Sequence, residues 1–311
     1  MRTVDLFSGC GGLSLGFQQA GFEIVSAYDS WAAAIACYEA NFTHPIYKED
    51  LSDSVGMIRK IRLLAPEIII GGPPCQDFST AGKRSEGGRA DLTNSFATIV
   101  TTIRPRWFLM ENVARAQNSI AYEKARESLK EAGYGLNERV LDSSFCGVPQ
   151  KRKRFFCVGK LDAQDGFLND IFNAALSSQR MTLRDYLGNE FGLEHYYRHP
   201  RNYNRRGVFS IDEPAPTVRG VNRPVPAGYL GHHGDPVAVQ GLRCLTTKER
   251  SRVQTFSNEF NLVGSKTDIE QMIGNAVPVN LARFVGESIM AYVEMEREDD
   301  EQFFRVAGAG N

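Results

Sequence analysis

Short apolar runs alternate with helical patterns through the first half of the chain. The runs TVDLF, EIVSAY, EIII, WFLMENV, RVLDSS and RFFCVGK have the length of β-strands. Between them, residues 13–20, 31–41, 57–64 and 95–103 carry the apolar spacing of helices. Strands separated by helices at this spacing predict an α/β fold. We expect a mostly parallel, Rossmann-like sheet with helices on both faces.

The pattern changes near residue 183. Helical periodicity disappears until Thr246, where a capping box with Glu249 predicts a short helix. A second helix is expected after Ile273, with Pro278 in its first turn. We therefore predict one domain from residues 1–170 and 270–311, and a smaller domain of strands and loops from residues 171–269.

Composition excludes several classes of protein. The chain of 311 residues is 42% hydrophobic, and its longest apolar runs fall far short of the ~20 residues of a membrane span. MRTVDLFSG lacks the layout of a signal peptide, which favours a cytoplasmic protein. The six cysteines form no C-x-x-C pair, so we predict reduced thiols and no metal site. The histidines of HYYRH, residues 195–199, are read as surface residues.

Charge is unevenly distributed although the net charge is only −1. Residues 198–223 contain six arginines but only two acids, Asp212 and Glu213, a local balance of +4. Such a patch is typical of proteins that bind a phosphate backbone. A solvated loop with ordinary arginines is the alternative, and charge alone does not separate the two.

Glycines follow the first strand, in DLFSGCGGLSLGF. A glycine-rich turn that opens a helix lets a nucleotide approach the backbone closely. The dinucleotide pattern G-x-G-x-x-G is not met, because Ser14 occupies its third glycine position. Asp29 ends the second strand, where a carboxylate can hold ribose hydroxyls or cap the following helix.

The segment GGPPCQDFS places Cys75 just beyond the run EIII, in a loop stiffened by prolines. A thiol at the carboxyl end of a strand suits a nucleophile, but it needs neighbours that favour the thiolate. QKRKR, residues 150–154, supplies arginines, and ENV supplies Glu111 as an acid. A lone cysteine here is more often structural; the whole set favours a nucleophile, an acid and anion-binding groups.

These motifs, together with GVPQKRKRFF, RCLTTKERSRVQTF and IGNAVPVNLA, resemble those of the cytosine-C5 DNA methyltransferases, in the same order. The resemblance implies S-adenosylmethionine as methyl donor, with S-adenosylhomocysteine as product. It implies a cofactor site formed by Phe7, Gly9, Gly11, Gly12, Leu13, Asp29, Ser30, Trp31, Asp50, Leu51, Pro74, Leu92 and Asn275. In many members a tryptophan directly follows the ribose-binding acid, whereas here Ser30 intervenes before Trp31.

The same resemblance implies the catalytic roles. Cys75 attacks C6 of a cytosine flipped out of the duplex, Glu111 hydrogen-bonds N3, Arg154 orients the ring and Arg152 lies beside a phosphate. Methylases of exocyclic amines need no such thiol. Residues 171–269 become a target-recognition domain, for which we predict double-stranded DNA contacts by Gln150, Arg198, Arg205, Arg206, Arg219, Arg223 and Arg243.

We therefore predict a monomeric DNA (cytosine-5-)-methyltransferase of a restriction–modification system, with any cognate restriction endonuclease acting separately. Two alternatives stay open. One is the same reaction on tRNA, and the other is a catalytically inactive DNA-binding homologue.

Overall fold

The computed structural model describes residues 1–74, 92–202 and 204–308. Its strands are β1 (Arg2–Leu6), β2 (Glu23–Asp29), β3 (Ile46–Lys48), β4 (Ile68–Gly71), β5 (Trp107–Val113), β6 (Tyr134–Asp142), β7 (Gln150–Lys151), β8 (Lys153–Leu161), β9 (His195–Tyr197), β10 (Val208–Ser210) and β11 (Ala215–Pro216). Its α-helices are α1 (Gly12–Gln19), α2 (Ala32–Glu39), α3 (Ser54–Arg62), α4 (Leu92–Ile103), α5 (Ile120–Glu131), α6 (Asn169–Ala175), α7 (Leu183–Leu187), α8 (Thr247–Val253), α9 (Lys266–Asn275) and α10 (Val279–Gly308).

Seven strands form one sheet in the order β3-β2-β1-β4-β5-β8-β6. The predicted mostly parallel α/β sheet is confirmed, with one exception. Strand β8 runs antiparallel to both β5 and β6. Only residues 143–152 separate β6 from β8, which is too short for the helical crossover that parallel neighbours require.

The sheet is buried on both faces. Along β4, Ile68 and Ile70 face one core whereas Ile69 faces the other. Strand β5 alternates in the same way, with Trp107 and Leu109 on the first face. Alternation places Glu111, two residues after Leu109, on that same face where the strand ends. The hydrophobic strand β5 thus places a carboxyl group at the carboxyl end of the sheet's parallel strands.

Helix α10 packs against α1, although the two helices come from opposite ends of the chain. Gly16 permits this contact, because a Cβ there would lie 2.4 Å from the Cβ of Ala282 and 2.5 Å from the carbonyl oxygen of Val279. The predicted apolar stripe of α10 is buried, including Leu281, Val285 and Ile289. Helix α10 therefore closes the first core.

Residues 176–265 form a lobe of loops and short strands. Strands β9 and β10 pair antiparallel, and β11 pairs parallel with β7. Thr246 and Glu249 form the predicted capping box of α8. Four helices, α5, α6, α7 and α9, were not predicted. The predicted boundary at residue 269 lies inside α9, so the division into two domains remains a prediction.

Within the described ranges, every helix is too short or too polar to cross a membrane.

Candidate active site

A cavity of about 530 Å³ opens at the carboxyl ends of the parallel strands. This is where ligands bind in open α/β sheets, and the volume suits a small organic ligand. Twelve of the thirteen predicted cofactor residues line it: Phe7, Gly9, Gly12, Leu13, Asp29, Ser30, Trp31, Asp50, Leu51, Pro74, Leu92 and Asn275. Glu111 and Arg154 line the same cavity, so the described parts of two predicted sites meet in one space.

The turn after β1 is held in a strained conformation. Phe7 has a φ of 59° and Gly9 a φ of 55°, both in the left-handed region. A non-glycine residue such as Phe7 rarely adopts this conformation, and strain of this kind concentrates at functional sites. A Cβ at Gly9 would meet no atom within 4 Å. The turn therefore leaves open space beside its backbone.

Gly11 is the exception among the predicted cofactor residues described. It precedes α1 with a φ of 94°, and a Cβ there would lie 2.3 Å from the Phe42 ring. The side of Gly11 on which a side chain would stand thus faces a packed aromatic group. Its requirement for glycine comes from backbone conformation and packing, and its assignment to the cofactor site stays a prediction.

Asp29 links the first two strand ends. Its Oδ2 accepts a hydrogen bond of 2.8 Å from the Gly9 amide, and its Oδ1 accepts one of 2.8 Å from the Trp31 amide. Trp31, rather than Asp29, is the N-cap residue of α2. Each carboxylate oxygen keeps a further lone pair for a ligand hydroxyl. The carboxylate therefore fixes the turn and still faces the cavity.

Asp50 is exposed at the end of the third strand. Its Oδ1 accepts the Ser52 amide at 2.9 Å. Hydrogen bonds from Ser52 lower the pKa of the Asp50 carboxyl group. Asp50 therefore stays ionised where its carboxylate borders the cavity.

Glu111 and Arg154 form a buried ion pair within the cavity. Nε of Arg154 lies 3.0 Å from Oε1 of Glu111, and the two side chains are 14% and 10% exposed. Arg154 is the second residue of antiparallel β8, and its cross-strand partner is Val113 at the end of β5. Burial raises the pKa of Glu111, and the charge of Arg154 acts in the opposite direction. The buried carboxyl group and the planar cation therefore line the cavity together.

The loop after β4 is held against the end of β5. Asn112 donates from Nδ2 to the carbonyl oxygen of Pro73 at 2.9 Å. A Cβ on Gly72 would lie 3.1 Å from Oε2 of Glu111, so glycine allows the close approach. Cys75, the predicted nucleophile, lies outside the described residues. It directly follows Pro74, which lines the cavity.

Arg152 was predicted to lie beside a phosphate, but its guanidinium group is enclosed by the protein. It is 1% exposed, and its guanidinium donates to the carbonyl oxygens of Val218, Gly274 and Ala276 at 3.0, 2.8 and 3.1 Å. Burial lowers its pKa, because burial disfavours the charged form. Its two terminal nitrogens donate to backbone carbonyl groups inside the protein, which corrects the phosphate assignment.

Gln150 is also corrected as a DNA contact, because it is fully buried. Its Nε2 donates to Oε1 of Gln254 at 2.7 Å, and its Oε1 accepts the Val218 amide at 2.8 Å. Both ends of the side-chain amide therefore hold the interior together, and neither end is available to a base or a phosphate.

The predicted DNA-binding arginines divide into three groups. Arg206 pairs with Glu213, and Arg243 pairs with Glu249 at 2.6 Å, so both are engaged with acids of the lobe. Arg205 and Arg223 are exposed. Arg198 and Arg219 are partly buried and donate to the carbonyl oxygens of Thr217 and His199.

Arg198, Arg201, Arg219 and Arg223 form a positive cluster. Burial, with the charge of Arg219 next in size, lowers the pKa of Arg198 to about 10. Burial also lowers the pKa of Arg219, with Arg201 and Arg223 adding to the effect. Like charges that depress one another's pKa lie close together. This cluster is the part of the predicted patch whose charge is concentrated.

A buried chain of hydrogen bonds lies beneath the glycine turn. Ser14 donates to Oδ2 of Asp5 at 2.5 Å, Tyr38 donates to Ser14 at 2.7 Å, and the Tyr38 hydroxyl lies 2.7 Å from Nε2 of His44. Burial raises the pKa of Asp5 to about 8. Asp5 is therefore largely protonated at neutral pH in the folded protein.

Several cavity residues were not predicted. Asn112 is one of them, although it belongs to the ENV motif. The others are Ser8, Cys10, Gly72, Pro73, Val113, Met272, Gly274, Ala276 and Val277. Asn275 was expected to start the last helix, but it ends α9. The motif IGNAVP was the available signal, because its loop brings residues 274–277 to the cavity together.

Comparison with known proteins identifies relatives along the whole chain. Residues 1–291 match the family described as C-5 cytosine-specific DNA methylase. The chain is 56% identical over 295 residues to the Type II methyltransferase M.HindV of Haemophilus influenzae, covering 94% of this chain and 97% of the relative. It is 54% identical over 298 residues to the Type II methyltransferase M.HgiDI of Herpetosiphon aurantiacus, covering 96% of each.

Solved structures share the fold. The Dnmt2 methyltransferase of S. pombe has a TM-score of 0.69 at 19% identity, over 94% of this chain and 98% of that one. The methyltransferase EhMeth of Entamoeba histolytica has a TM-score of 0.66 at 18% identity, over 95% and 98% of the two chains. At these identities the likeness concerns the fold alone.

Proposed function

Because the chain belongs to the C-5 cytosine-specific DNA methylase family, we propose that it is a DNA (cytosine-5-)-methyltransferase. Its substrate is a specific double-stranded DNA sequence, and its methyl donor is S-adenosylmethionine. The observation that carries the proposal is the single cavity that joins the glycine turn to the Glu111–Arg154 pair. A nucleoside cofactor and a base could meet there.

The described residues fit S-adenosylmethionine. The glycine turn leaves room for the methionine end, Asp29 can accept ribose hydroxyls, and Asp50 with Leu51 borders the adenine. When bound, the cofactor supplies an electrophilic methyl group. Asn275 closes the cavity from α9, with its Oδ1 accepting a 3.1 Å hydrogen bond from Gln271. Trp31 is the cavity aromatic closest in sequence to Asp29, so we assign it to stacking on the adenine.

The catalytic step needs a nucleophile because C5 of cytosine does not attack a methyl group unaided. The thiolate of Cys75 would add to C6, while the protonated carboxyl group of Glu111 donates its proton to N3, which takes up the electron pair displaced from the ring. C5 would then take the methyl group, the bond between that methyl carbon and the cofactor's sulfur would break, and S-adenosylhomocysteine would leave. A base would remove the C5 proton, the N3 proton would return to Glu111, the C5–C6 double bond would re-form, and the Cys75 thiolate would leave.

Glu111 and Arg154 support this chemistry with their own geometry. Burial raises the pKa of Glu111, so the carboxyl group can donate a proton toward a ring nitrogen. Arg154 holds the carboxyl group from one side and keeps a planar set of donors for the ring. Because C6 is hidden within a duplex, the cytosine must be flipped into the cavity.

Double-stranded DNA is expected to lie across the lobe of residues 176–265. The cluster of Arg198, Arg201, Arg219 and Arg223 would attract phosphates, and exposed Arg205 would add to it. Arg206 and Arg243 are left out of this surface because acids already hold them. The relatives are Type II methyltransferases. We therefore assign this chain to a restriction–modification system, acting as a monomer on cytoplasmic DNA, with any endonuclease separate.

The proposal is tested by tritium transfer from labelled S-adenosylmethionine. Purified protein is offered unmethylated plasmid DNA and, separately, unmodified bacterial tRNA. We expect label in the DNA and none above background in the tRNA. Cys75→Ser should abolish transfer while S-adenosylhomocysteine still binds, as measured by calorimetry. Label in tRNA alone would assign the enzyme to RNA, and full activity of Cys75→Ser would remove Cys75 as the nucleophile.

A further inference from the structure

Residues 215–223, here called the recognition segment, are hydrogen-bonded to residues 149–151. The Ala215 amide donates to the carbonyl oxygen of Pro149 at 2.8 Å, and Oγ1 of Thr217 donates to that of Lys151 at 2.8 Å. Gln150 accepts the Val218 amide at 2.8 Å. The segment is thus held at successive positions up to Val218, immediately before Arg219 of the positive cluster.

Arg152 donates hydrogen bonds to the recognition segment on one side and to the end of α9 on the other. One guanidinium nitrogen donates to Val218 at 3.0 Å, while the other donates to Gly274 at 2.8 Å and Ala276 at 3.1 Å. Carbonyl groups in the last turn of a helix lack partners within the helix. A cation at this end also matches the helix dipole. Arg152 therefore caps α9 with the same group that holds the recognition segment.

Gln254 completes this cap. Its Nε2 donates to the carbonyl oxygens of Ile273 and of Ala276, the latter at 3.2 Å, and its Oε1 accepts from Gln150. Gln150, Arg152 and Gln254 are all buried, at 0%, 1% and 0% exposure. Buried polar groups whose partners are all fixed leave little freedom to move independently.

The backbone of the recognition segment also contacts the backbone at the end of α9. A Cβ on Gly274 would lie 2.1 Å from the Gly220 nitrogen and 2.4 Å from the Arg219 carbonyl carbon. On its other side this loop reaches the cofactor cavity, since a Cβ on Gly12 would lie 2.4 Å from the Val277 carbonyl oxygen. A displacement of the recognition segment must therefore move residues 274–277, which line the cavity.

We propose that Arg152 is a positioning residue that couples the recognition segment to the cofactor cavity, so that DNA and cofactor each strengthen the binding of the other. The inference rests on the proposed function, since it takes the recognition segment as a DNA contact. Arg152 touches neither ligand. It fixes the relative position of Arg219 and of Asn275, and linkage makes the effect reciprocal.

The test is the affinity for S-adenosylhomocysteine, measured by calorimetry without DNA and with a saturating duplex that contains the methylated site. Coupled sites usually change each other's affinity by roughly 5- to 150-fold, and we expect the wild-type ratio to fall in this range. Arg152→Lys keeps the charge but cannot span three carbonyl groups. Its ratio should fall to within about twofold of one by loss of this coupling.

Arg252→Lys is the matched control. Arg252 is 14% exposed in its side chain and binds Glu190 and the Phe256 carbonyl oxygen in the same lobe, away from the recognition segment. It should lose stability but keep the wild-type ratio. If Arg152→Lys does not fold, Thr217→Val replaces it as the test variant. This substitution keeps the side-chain shape and removes the hydrogen bond from Thr217 to the Lys151 carbonyl oxygen. Its ratio should lie between the other two.

A wild-type ratio near one, or an unchanged ratio in Arg152→Lys, would overturn the coupling. Either result is compatible with an active methyltransferase, so it leaves the proposed function standing. Failure of the proposed function would instead appear as absent methyl transfer to DNA by the wild-type protein.

Discussion

Asp5 should make folding stability fall as pH rises, and Asp5→Asn should remove this dependence. The carboxyl group is fully buried beneath the glycine turn, and burial raises its pKa from 3.8 to about 8. Between these two values the unfolded chain loses the proton while the folded protein keeps it. The unfolded state then binds fewer protons, so the free energy of unfolding decreases with rising pH.

The size of the effect follows from the shift. One proton retained only by the folded state changes stability by about 1.4 kcal/mol per pH unit. From pH 5 to pH 7 the wild-type protein should therefore lose about 3 kcal/mol relative to Asp5→Asn, as an upper bound. Above pH 8 the difference should level off, since the carboxyl group then ionises in both states.

Urea unfolding of both proteins at half-unit steps from pH 5 to pH 9 measures this difference. Asp170→Asn, an exposed acid on α6, is the control and should follow the wild type. Parallel pH profiles for Asp5→Asn and wild type would show that Asp5 is ionised in the folded protein, contrary to this reasoning.

Four further outcomes are expected. Glu111→Gln should lower methyl transfer by about 100-fold or more. Its affinity for S-adenosylhomocysteine should stay within about twofold of wild type, because only the proton donor is lost. An equal loss of methyl transfer and of S-adenosylhomocysteine affinity would place Glu111 in cofactor binding. Gln150→Leu should lower the free energy of unfolding by about 1–3 kcal/mol, since it leaves a buried amide without an acceptor; unchanged urea midpoints would contradict this. Gly274→Ala should lower the free energy of unfolding by at least about 1–3 kcal/mol, because its Cβ would overlap the neighbouring backbone. The same urea titrations measure this, and an unchanged free energy of unfolding would show that the loop relaxes around the Cβ. Arg223→Ala should weaken binding to all duplexes and reduce the salt slope by about one, whereas Arg243→Ala should leave the slope unchanged, and equal slopes for all three proteins would exclude Arg223 from the DNA surface.

Much of the fold could be predicted because local pattern and topology agree. The alternating faces of EIII and WFLMENV match their two cores, and the strand ends converge on one cavity as parallel sheets require. The reversed direction of β8 was missed, since RFFCVGK has the same apolar character as the parallel strands of the sheet. Strand direction depends on the length of the connection, which the apolar pattern does not show.

The roles of Gln150 and Arg152 show where residue type misleads. Both occur in a basic motif that suggested contact with DNA, yet both are buried and bind backbone groups of residues distant in sequence. The partners of Arg152 lie 66 and 122 residues away along the chain. A buried cation needs such partners, and only the folded chain brings them together.

The lobe arginines divide for a similar reason. Glu213 and Glu249 neutralise Arg206 and Arg243, whereas Arg219 and Arg223 stay in a positive cluster. Sequence predicted the local excess of charge. It could not predict which arginines the two acids would neutralise, because each pairing depends on how the loops pack.

The central claim is methylation of cytosine C5 in DNA, and the products formed in cells test it most directly. The chain is expressed in a bacterial host that lacks cytosine methylation, beside a plasmid, and the plasmid is analysed by nucleoside mass spectrometry and bisulfite sequencing. The account predicts 5-methylcytosine at one position of a single recurring sequence, absent with Cys75→Ser. Plasmid DNA without 5-methylcytosine, from cells that contain folded wild-type protein, would contradict it.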